Sequence, residues 1–193
     1  MQLEVERELI AKCRAGGPRF FEPIVRAYEG PGLRLALGML GDPDEARDAL
    51  QDSFVKAWQS LGRFDPRRPF GPWFFQILRN RCRDLLRSRQ ARFKVEVLDE
   101  HLERNADDPA RRPDQVRERA ARKETLWKAL ERIAPEHREV LVLKELEGFR
   151  YQEIASILDI PDGTVASRLF HARKALKEAL EDMGWSSPAG QAG

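Results

Sequence analysis

The sequence predicts an all-α protein with two small helical domains joined by a flexible linker. Apolar residues recur at helical spacing along most of the 193 residues, and no stretch shows the sustained alternation of a strand bounded by turns. A polar segment of mixed charge with two prolines, at 104–115, divides the chain. Two short basic segments lie on opposite sides of it, which indicates two separate units.

The first domain is predicted over 1–92. Residues 22–40 have a helical pattern that we expect to be broken into two pieces at 30–32, because Gly-Pro-Gly disfavours a helix interior. A second helix is expected after the turn at 41–43, where acidic residues suit the first turn, and it ends near residue 61. The proline-containing stretch 63–72 is predicted to be a loop, followed by a helix over 73–89.

The composition changes after residue 92, which predicts a linker over 93–122 with few apolar groups to pack. The second domain is predicted over 123–183. It begins with helices near 124 and after Pro135, and a helix at 151–158 is followed by the turn Asp159-Ile160-Pro161 and a last helix. Residues 184–193 are expected to form a disordered tail.

Composition excludes several classes of protein. No segment approaches the roughly 20 apolar residues that span a bilayer, and the first ten residues contain three glutamates and lack the apolar core of a secretory signal. We therefore expect a cytoplasmic protein without direct membrane insertion. Cys13 and Cys82 form neither a disulfide framework nor a zinc-ligand spacing, so they are interpreted as core residues, with redox sensing as the alternative. No cofactor and no metal is predicted.

The formal net charge of +2 conceals an uneven distribution. Residues 63–94 contain ten basic and two acidic residues, and residues 163–177 contain four basic and no acidic residues. A polyanion that contacts both segments would experience a positive charge that the total hides.

The segment 151–180 carries the most specific motif, a helix-turn-helix. Its second helix has an apolar inner stripe and a basic, hydrogen-bonding outer face. The start of that helix is expected to enter the DNA major groove, where Arg168 and Ser167 reach base edges and Thr164 holds a phosphate. The alternative is an ordinary helical hairpin with a solvated face, which explains the apolar stripe but not the acid-free run.

The basic segment 63–94 also holds six of the sixteen aromatic residues of the chain. Interleaved cations and rings suit single-stranded nucleic acid, because cations follow the phosphates and rings stack on unpaired bases. The competing interpretation is a hydrophobic core, and for Phe64 and Phe70 in the proline-rich loop both interpretations stay open. Three arginines recur every four residues and therefore share one helix face: Arg79, Arg83 and Arg87.

The helix predicted after residue 43 has an acidic outer face. This face carries Asp44, Arg47, Asp48, Gln51 and Asp52. A solvated surface and a docking surface for a basic protein are the two interpretations that the sequence leaves open.

Taken together, these motifs resemble bacterial RNA polymerase sigma factors of the extracytoplasmic-function group, over about 20–92 and 123–183. The matching residues of the first domain are Asp48, Gln51, Phe54, Trp58, Trp73, Asn80, Asp84 and Arg87. Those of the second domain are Pro135, Arg138, Leu141, Tyr151, Glu153, Ile154, Ala155, Gly163, Thr164, Val165, Ser167, Arg168, Leu169, Ala172 and Arg173.

The resemblance implies a promoter-specificity subunit without catalytic activity that binds core RNA polymerase and promoter DNA, assists melting and is held inactive by an anti-sigma factor. The residues implied to dock on the clamp helices of the polymerase largest subunit are Asp44, Asp48, Gln51 and Asp52. The second domain would also bind the polymerase flap, and the linker would run toward the RNA exit path.

The resemblance also assigns residues to the two promoter elements. Those implied for melting and reading the minus-ten element are Arg63, Phe64, Phe70, Trp73, Arg79, Asn80, Arg83 and Arg87. Those implied for the minus-thirty-five element are Arg150, Tyr151, Gly163, Thr164, Ala166, Ser167, Arg168, Phe170, His171 and Arg173. Ala166 and His171 stand where basic residues are frequent in the family, which bears on base preference and phosphate affinity.

Two other function classes compete with this interpretation. A stand-alone helix-turn-helix regulator would bind operators without polymerase, but it leaves the basic aromatic segment and the acidic helix without a use. A nuclease or recombinase would need a metal site, and its only candidate ligands lack a basic surround: Asp42, Asp44, Asp48 and Asp52. The three histidines show no metal-ligand spacing: His101, His137 and His171.

Overall fold

The computed structural model describes residues 3–96 and 125–185. Most of the predicted linker and most of the predicted tail lie outside the described residues. Within the described ranges the chain contains helices and turns and no strand, which confirms the predicted fold class. In those same ranges no helix combines the length and the apolar character needed to cross a membrane.

The first domain contains four helices and two short 3₁₀ turns. The helices are α1 (Leu3–Arg14), α2 (Glu22–Leu40), α3 (Pro43–Ser60) and α4 (Phe70–Glu96), and the 3₁₀ turns are Pro18–Phe21 and Leu61–Arg63. α1 was not predicted from the sequence, because only a short stripe of apolar residues, among them Ile10 and Cys13, marks its buried face.

The predicted break in α2 is wrong. The helix runs through Pro31 without interruption, because it packs against α3 and α4 on the side where Gly32 lies. A Cβ atom at Gly32 would come within 2.6 Å of Leu50 Cδ1 and 3.3 Å of Leu78 Cδ2, so a larger residue there would displace the side chain of Leu50 from this close contact. Tertiary packing therefore overrides the low helix propensity of the Gly-Pro-Gly sequence.

The turn predicted at 41–43 is confirmed, and its chemistry explains where α2 ends and α3 begins. Gly41 has a φ of 72°, which glycine adopts without steric cost, and its N–H donates to the carbonyl of Leu37. The Asp42 carboxylate accepts hydrogen bonds from the backbone N–H groups of Asp44 and Glu45, both at 2.9 Å. This cap satisfies two of the free donors at the start of α3.

α4 is longer than predicted at both ends. It begins at Phe70, three residues before the predicted start, and extends four residues past the predicted domain end at residue 92. Its first two turns bury Phe70, Phe74 and Phe75, and the ring of Phe74 stacks on that of Phe54 at 4.5 Å between centroids. Aromatic packing thus forms the centre of the first domain.

The second domain contains α5 (125–132), α6 (Pro135–Leu141), α7 (Tyr151–Leu158) and α8 (Asp162–Asp182), with a π-helical turn, Val142–Leu146, directly after α6. The predicted helix-turn-helix is confirmed. Asp159 ends α7 with a φ of 52°, its N–H donates to the carbonyl of Ala155, and Pro161 precedes α8.

The two domains pack against each other and share one hydrophobic core. α4 lies against α7, and α2 lies against α6 and the π-helical turn. The rings of Phe75 and Phe149 meet edge to face at 5.0 Å between centroids. A Cβ atom at Gly38 would come within 2.9 Å of Val142 Cγ2, so the contact between α2 and the second domain is close.

The close approach at Gly32 predicts a stability difference between two glycine variants. We expect Gly32→Val to lower the free energy of unfolding by about 2–3 kcal/mol, because the added methyl groups overpack a tight helix contact. Gly62→Val is the matched control, since nothing lies within 4 Å of a Cβ there and the change should stay within about 0.5 kcal/mol. The free energy of unfolding of each variant is measured by urea unfolding, with tryptophan fluorescence as the signal. Equal stability of the two variants would contradict the packing argument.

Candidate nucleic-acid and polymerase interface

α8 presents the outer face that its sequence predicts. Val165, Leu169 and Ala172 are buried on the inner side, and the side chain of Phe170 is 67% exposed on the outer side. The other predicted contact residues on α8 are exposed or half-buried: Gly163, Thr164, Ala166, Ser167, Arg168, His171 and Arg173. An exposed phenylalanine among small, polar and basic residues is suited to the major groove, where apolar groups contact thymine methyl groups.

Two predicted contact residues lie at the start of α7. Arg150 and Tyr151 are exposed, and the N–H of Arg150 donates to Glu153 Oε2 at 2.8 Å, which fixes the beginning of the helix. Arg173 on α8 forms an ion pair with an acidic residue of the second domain. It pairs with Glu145 at 2.6 Å, and the hydrogen bond to this carboxylate raises the pKa of Arg173.

The loop before α4 is held by its aromatic residues. Phe64 and Phe70 are 4% and 0% exposed, and their rings meet at 5.7 Å between centroids. Trp73 is half-buried and lies 4.8 Å from Phe64 between ring centroids. Of the two interpretations of Phe64 and Phe70, the structure supports the core, so neither ring is available for base stacking in this arrangement. Arg63 is exposed in the same loop.

The predicted row of arginines on α4 is divided between two environments. Asn80 and Arg87 are exposed and Arg83 is half-buried. Arg79 is buried, and its Nε donates to Glu139 Oε2 of α6 at 2.9 Å, with both side chains only 6% exposed. Arg79 therefore contacts the second domain and not the solvent, which corrects its expected availability for DNA in this arrangement.

A cavity of about 400 Å³ between the domains brings the two predicted DNA-contacting sets together. It is lined by Arg83 and Arg87 of α4, by Arg168 of α8 and by the acidic residues Glu136 and Asp159, among others. Part of each predicted DNA surface thus faces the other domain.

Two further polar contacts join the domains, and sequence reasoning did not find them. Arg138 is buried and donates to the carbonyl of Gly38 at 3.0 Å and to the carbonyls of Glu131 and Ile133. Burial lowers the pKa of this guanidinium. Arg34 of α2 pairs with Glu147 at 2.6 Å. In the sequence, Arg138 matches the family pattern. That match does not indicate which residues of the first domain Arg138 contacts.

The four predicted docking residues on α3 are all exposed: Asp44, Asp48, Gln51 and Asp52. Asp44 pairs with Arg47 at 2.7 Å, and Asp52 pairs with Arg81 of α4 at 2.7 Å.

Two grooves of about 430 Å³ flank α3, one against α4 and one against α2. Val55, which is 50% exposed, lines both grooves. The acidic face is therefore bordered by apolar surface, as expected of a surface that packs against another protein. Within the ranges that the structure describes, no group of three or more acidic, histidine or cysteine residues could hold a metal ion.

Comparison with known families matches both domains. The model of Sigma-70 region 2 matches residues 24–92, and that of Sigma-70 region 4 matches residues 123–176, together more than half of the chain. The chain belongs to the sigma-70 family, in its extracytoplasmic-function group. Such proteins are transcription initiation factors without catalytic activity. The family model of region 4 covers the helix-turn-helix, and that of region 2 covers α3 and most of α4.

Similar sigma factors extend over nearly the whole chain. The RNA polymerase sigma-H factor of Pseudomonas aeruginosa is 31% identical over 93% of this chain and 96% of its own length. The RNA polymerase sigma factor CnrH of Cupriavidus metallidurans is 35% identical over 92% of this chain and 95% of its own length.

Two solved structures resemble the fold of this sigma factor. CnrH in complex with the cytosolic domain of CnrY superposes with a TM-score of 0.68 at 29% identity, covering 92% of this chain and 98% of that one. The sigma factor RpoE of Bartonella quintana, in complex with the anti-sigma factor NepR, also has a TM-score of 0.68 at 29% identity, covering 83% and 96%.

The cysteines of this sigma factor are predicted to be unreactive when it is folded. Cys13 and Cys82 are buried, free thiols, and burial raises both pKa values, that of Cys82 to about 12. Because the thiolate is the reactive form, alkylation by iodoacetamide at pH 8 should be at least about 100-fold slower in the native protein than in 6 M guanidinium chloride. Mass spectrometry at timed intervals measures both rates, and fast native alkylation would restore the redox-sensor interpretation.

Proposed function

We propose that this sigma factor binds core RNA polymerase in the cytoplasm and directs it to promoters through the residues described above, with α8 on the minus-thirty-five element and α4 with its preceding loop on the minus-ten element. The observation that carries the proposal is the exposed outer face of α8, which contains no acidic residue from 163 to 177. DNA affinity depends on phosphate neutralisation, and base readout depends on side chains that reach the groove.

On the minus-ten side, the exposed residues support a revised set of contacts. Arg63 of the loop and Asn80 and Arg87 of α4 are solvent-accessible. Arginines follow the phosphates of the separated strand, and an exposed amide can hydrogen-bond a flipped base. Phe64 and Phe70 hold the loop in place from within and contact no base in this role.

The acidic face of α3 is the proposed docking surface for the clamp helices of the polymerase largest subunit. Asp48 and Gln51 are exposed on this face, and Val55 offers apolar area between the two flanking grooves. Acidic residues steer a basic partner, and the apolar groove provides the buried area of a stable contact. We also propose contact of the second domain with the polymerase flap.

We propose further that an anti-sigma factor holds this sigma factor inactive. The support is the similarity to CnrH and RpoE, whose solved structures contain CnrY and the anti-sigma factor NepR. The fold of this chain is similar to both over most of its length.

Transcription with core polymerase tests the proposed function. Promoters are first selected from genomic fragments by the holoenzyme, and each thymine of the minus-thirty-five element is then replaced by uracil, which lacks only the methyl group. We expect one such replacement to reduce open-complex formation about fourfold for the native protein, and not for Phe170→Ala, because apolar side chains contact this methyl group in the major groove and burying one such group is worth about 0.8 kcal/mol.

Lys177→Ala is the matched control. Lys177 is exposed on the same helix, two turns beyond Phe170, and it pairs with Glu181. This variant should keep the response to uracil. Absence of any promoter-dependent transcription would contradict the proposed function, and tight operator binding without polymerase would support a stand-alone regulator.

Simultaneous reading of both elements requires the domains to separate. The elements are named for positions about 25 base pairs apart, which is roughly 80 Å along B-DNA. In the structure, by contrast, Arg87 and Arg168 line the same cavity of about 400 Å³. We therefore propose that the packed arrangement is a closed form that opens when the holoenzyme binds a promoter.

The closed form predicts a change of shape in one variant. Glu139→Ala should open the domains, because it leaves Arg79 buried without its partner, which costs about 3–5 kcal/mol. Small-angle X-ray scattering should give a radius of gyration near 16 Å for the native protein, typical of a compact chain of this length, and a clearly larger value for the variant. Glu136→Ala, an exposed neighbour that lines the same cavity, should stay compact. If both variants stay compact with intact helices by circular dichroism, the ion pair does not hold the closed form.

A further inference from the structure

α1 reaches across to the loop between α3 and α4, about 60 residues later in the chain. Arg7 donates from Nε to the carbonyl of Pro66 and from Nη2 to the carbonyl of Arg67, both at 3.0 Å. A guanidinium that binds two successive carbonyls fixes the orientation of the backbone between them, because its donors form a rigid, planar fork.

Arg14, two turns further along α1, binds the other end of the same loop. Its Nε and Nη2 donate to the carbonyl of Leu61 at 3.0 and 2.8 Å, and its Nη2 also donates to the carbonyl of Phe64. Four carbonyls of the segment 61–67 are therefore bound by two side chains of a single helix.

A third charged residue of α1 holds the start of α4. Glu6 is 3% exposed, and its carboxylate accepts hydrogen bonds from the backbone N–H of Phe70 at 2.9 Å and from the hydroxyl of Tyr28 at 2.5 Å. A carboxylate at a helix N-terminus satisfies a free donor and suits the helix dipole. The end of the loop is thus fixed as well as its middle.

Within the described residues, the hydrogen bonds that the loop makes to itself lie in two short turns, at 61–64 and 65–68. The N–H of Phe64 donates to the carbonyl of Leu61 at 3.2 Å, and the N–H of Arg68 donates to the carbonyl of Asp65 at 3.0 Å. The Asp65 carboxylate accepts the N–H of Arg67 at 3.0 Å and pairs with the Arg67 guanidinium at 3.1 Å. The exposed basic side chains of the loop are Arg63, Arg67 and Arg68. Because α1 binds the carbonyls, it determines where the backbone that carries these three residues lies, whereas the guanidinium of Arg67 is also paired with Asp65 of the loop.

We propose that α1 is the positioning element of this loop, and that Arg7 and Arg14 set the base selectivity for the minus-ten element without contacting DNA. The inference rests on the proposed role of the loop in reading that element. α1 precedes the residues that match Sigma-70 region 2, which begin at residue 24. The competing role is a hydrophobic cover, since α1 also buries Ile10 and Cys13.

The test compares Arg7→Gln and Arg14→Gln with the control Lys12→Gln. Lys12 lies on α1, is exposed and pairs with Glu8 on the same helix at 2.5 Å. Each protein is assembled with core polymerase and transcribes two promoter pools, one randomised at the minus-ten element and one at the minus-thirty-five element. Sequencing the transcripts gives the enrichment of each base.

We expect enrichment at the minus-ten element to fall about tenfold for both arginine variants, because a loop that is no longer held in place loses the geometry that base readout requires. Enrichment at the minus-thirty-five element should be unchanged, and Lys12→Gln should behave as the native protein in both pools. Arg7→Lys should give an intermediate loss, because an ammonium cannot bind two carbonyls as a fork. Hydrogen exchange of the amides at 62–68 should accelerate in the Arg7 and Arg14 variants.

Several outcomes would overturn the proposal. An equal loss in both pools would show a merely structural role for α1, and native selectivity in both arginine variants would show that the loop holds its own shape. Absence of enrichment in either pool with the native protein would instead contradict the proposed function. Arg7 is exposed, so Arg7→Gln keeps the test valid if Arg14→Gln fails to fold.

Discussion

The buried ion pair between Arg79 and Glu139 joins α4 of the first domain to α6 of the second, and the proposed closed form depends on it. Transferring two charges from water into an interface is costly, and the attraction between them offsets that cost only when the geometry is good. Here the atoms lie 2.9 Å apart and both side chains are 6% exposed. Such a pair contributes little net stability, but removing one partner strongly destabilises the fold because the other charge then stays buried without compensation.

Around this pair, α4 connects the surfaces of the sigma factor. Its buried side carries the aromatic core of the first domain, Arg79 faces the second domain, and Asn80 and Arg87 are exposed. One groove that flanks the acidic helix α3 also runs along α4. Because the docking face lies on α3, which packs against α4 within the first domain, separation of the domains would free the face of Arg79 and leave the docking surface intact.

Predictions from the sequence succeeded where local chemistry decides and failed where distant residues decide. The helix-turn-helix was predicted to within two residues of its bounds, because helical periodicity and the turn at 159–161 are local signals. The break in α2 was predicted from local propensity and is wrong, because packing around Gly32 overrides it. For Phe64 and Phe70 the sequence allowed two roles, and only their burial distinguishes them.

The sequence by itself determined which residues share the outer faces of α3 and α8, because the period of a helix assigns residues to faces before any tertiary contact forms. It also determined the two charge segments and the family. The tertiary structure alone decided that Arg79 is buried against Glu139 and that Arg7 and Arg14 bind the loop before α4. These contacts join residues 47 to 60 positions apart and often end on backbone carbonyls, which leave no pattern in the sequence.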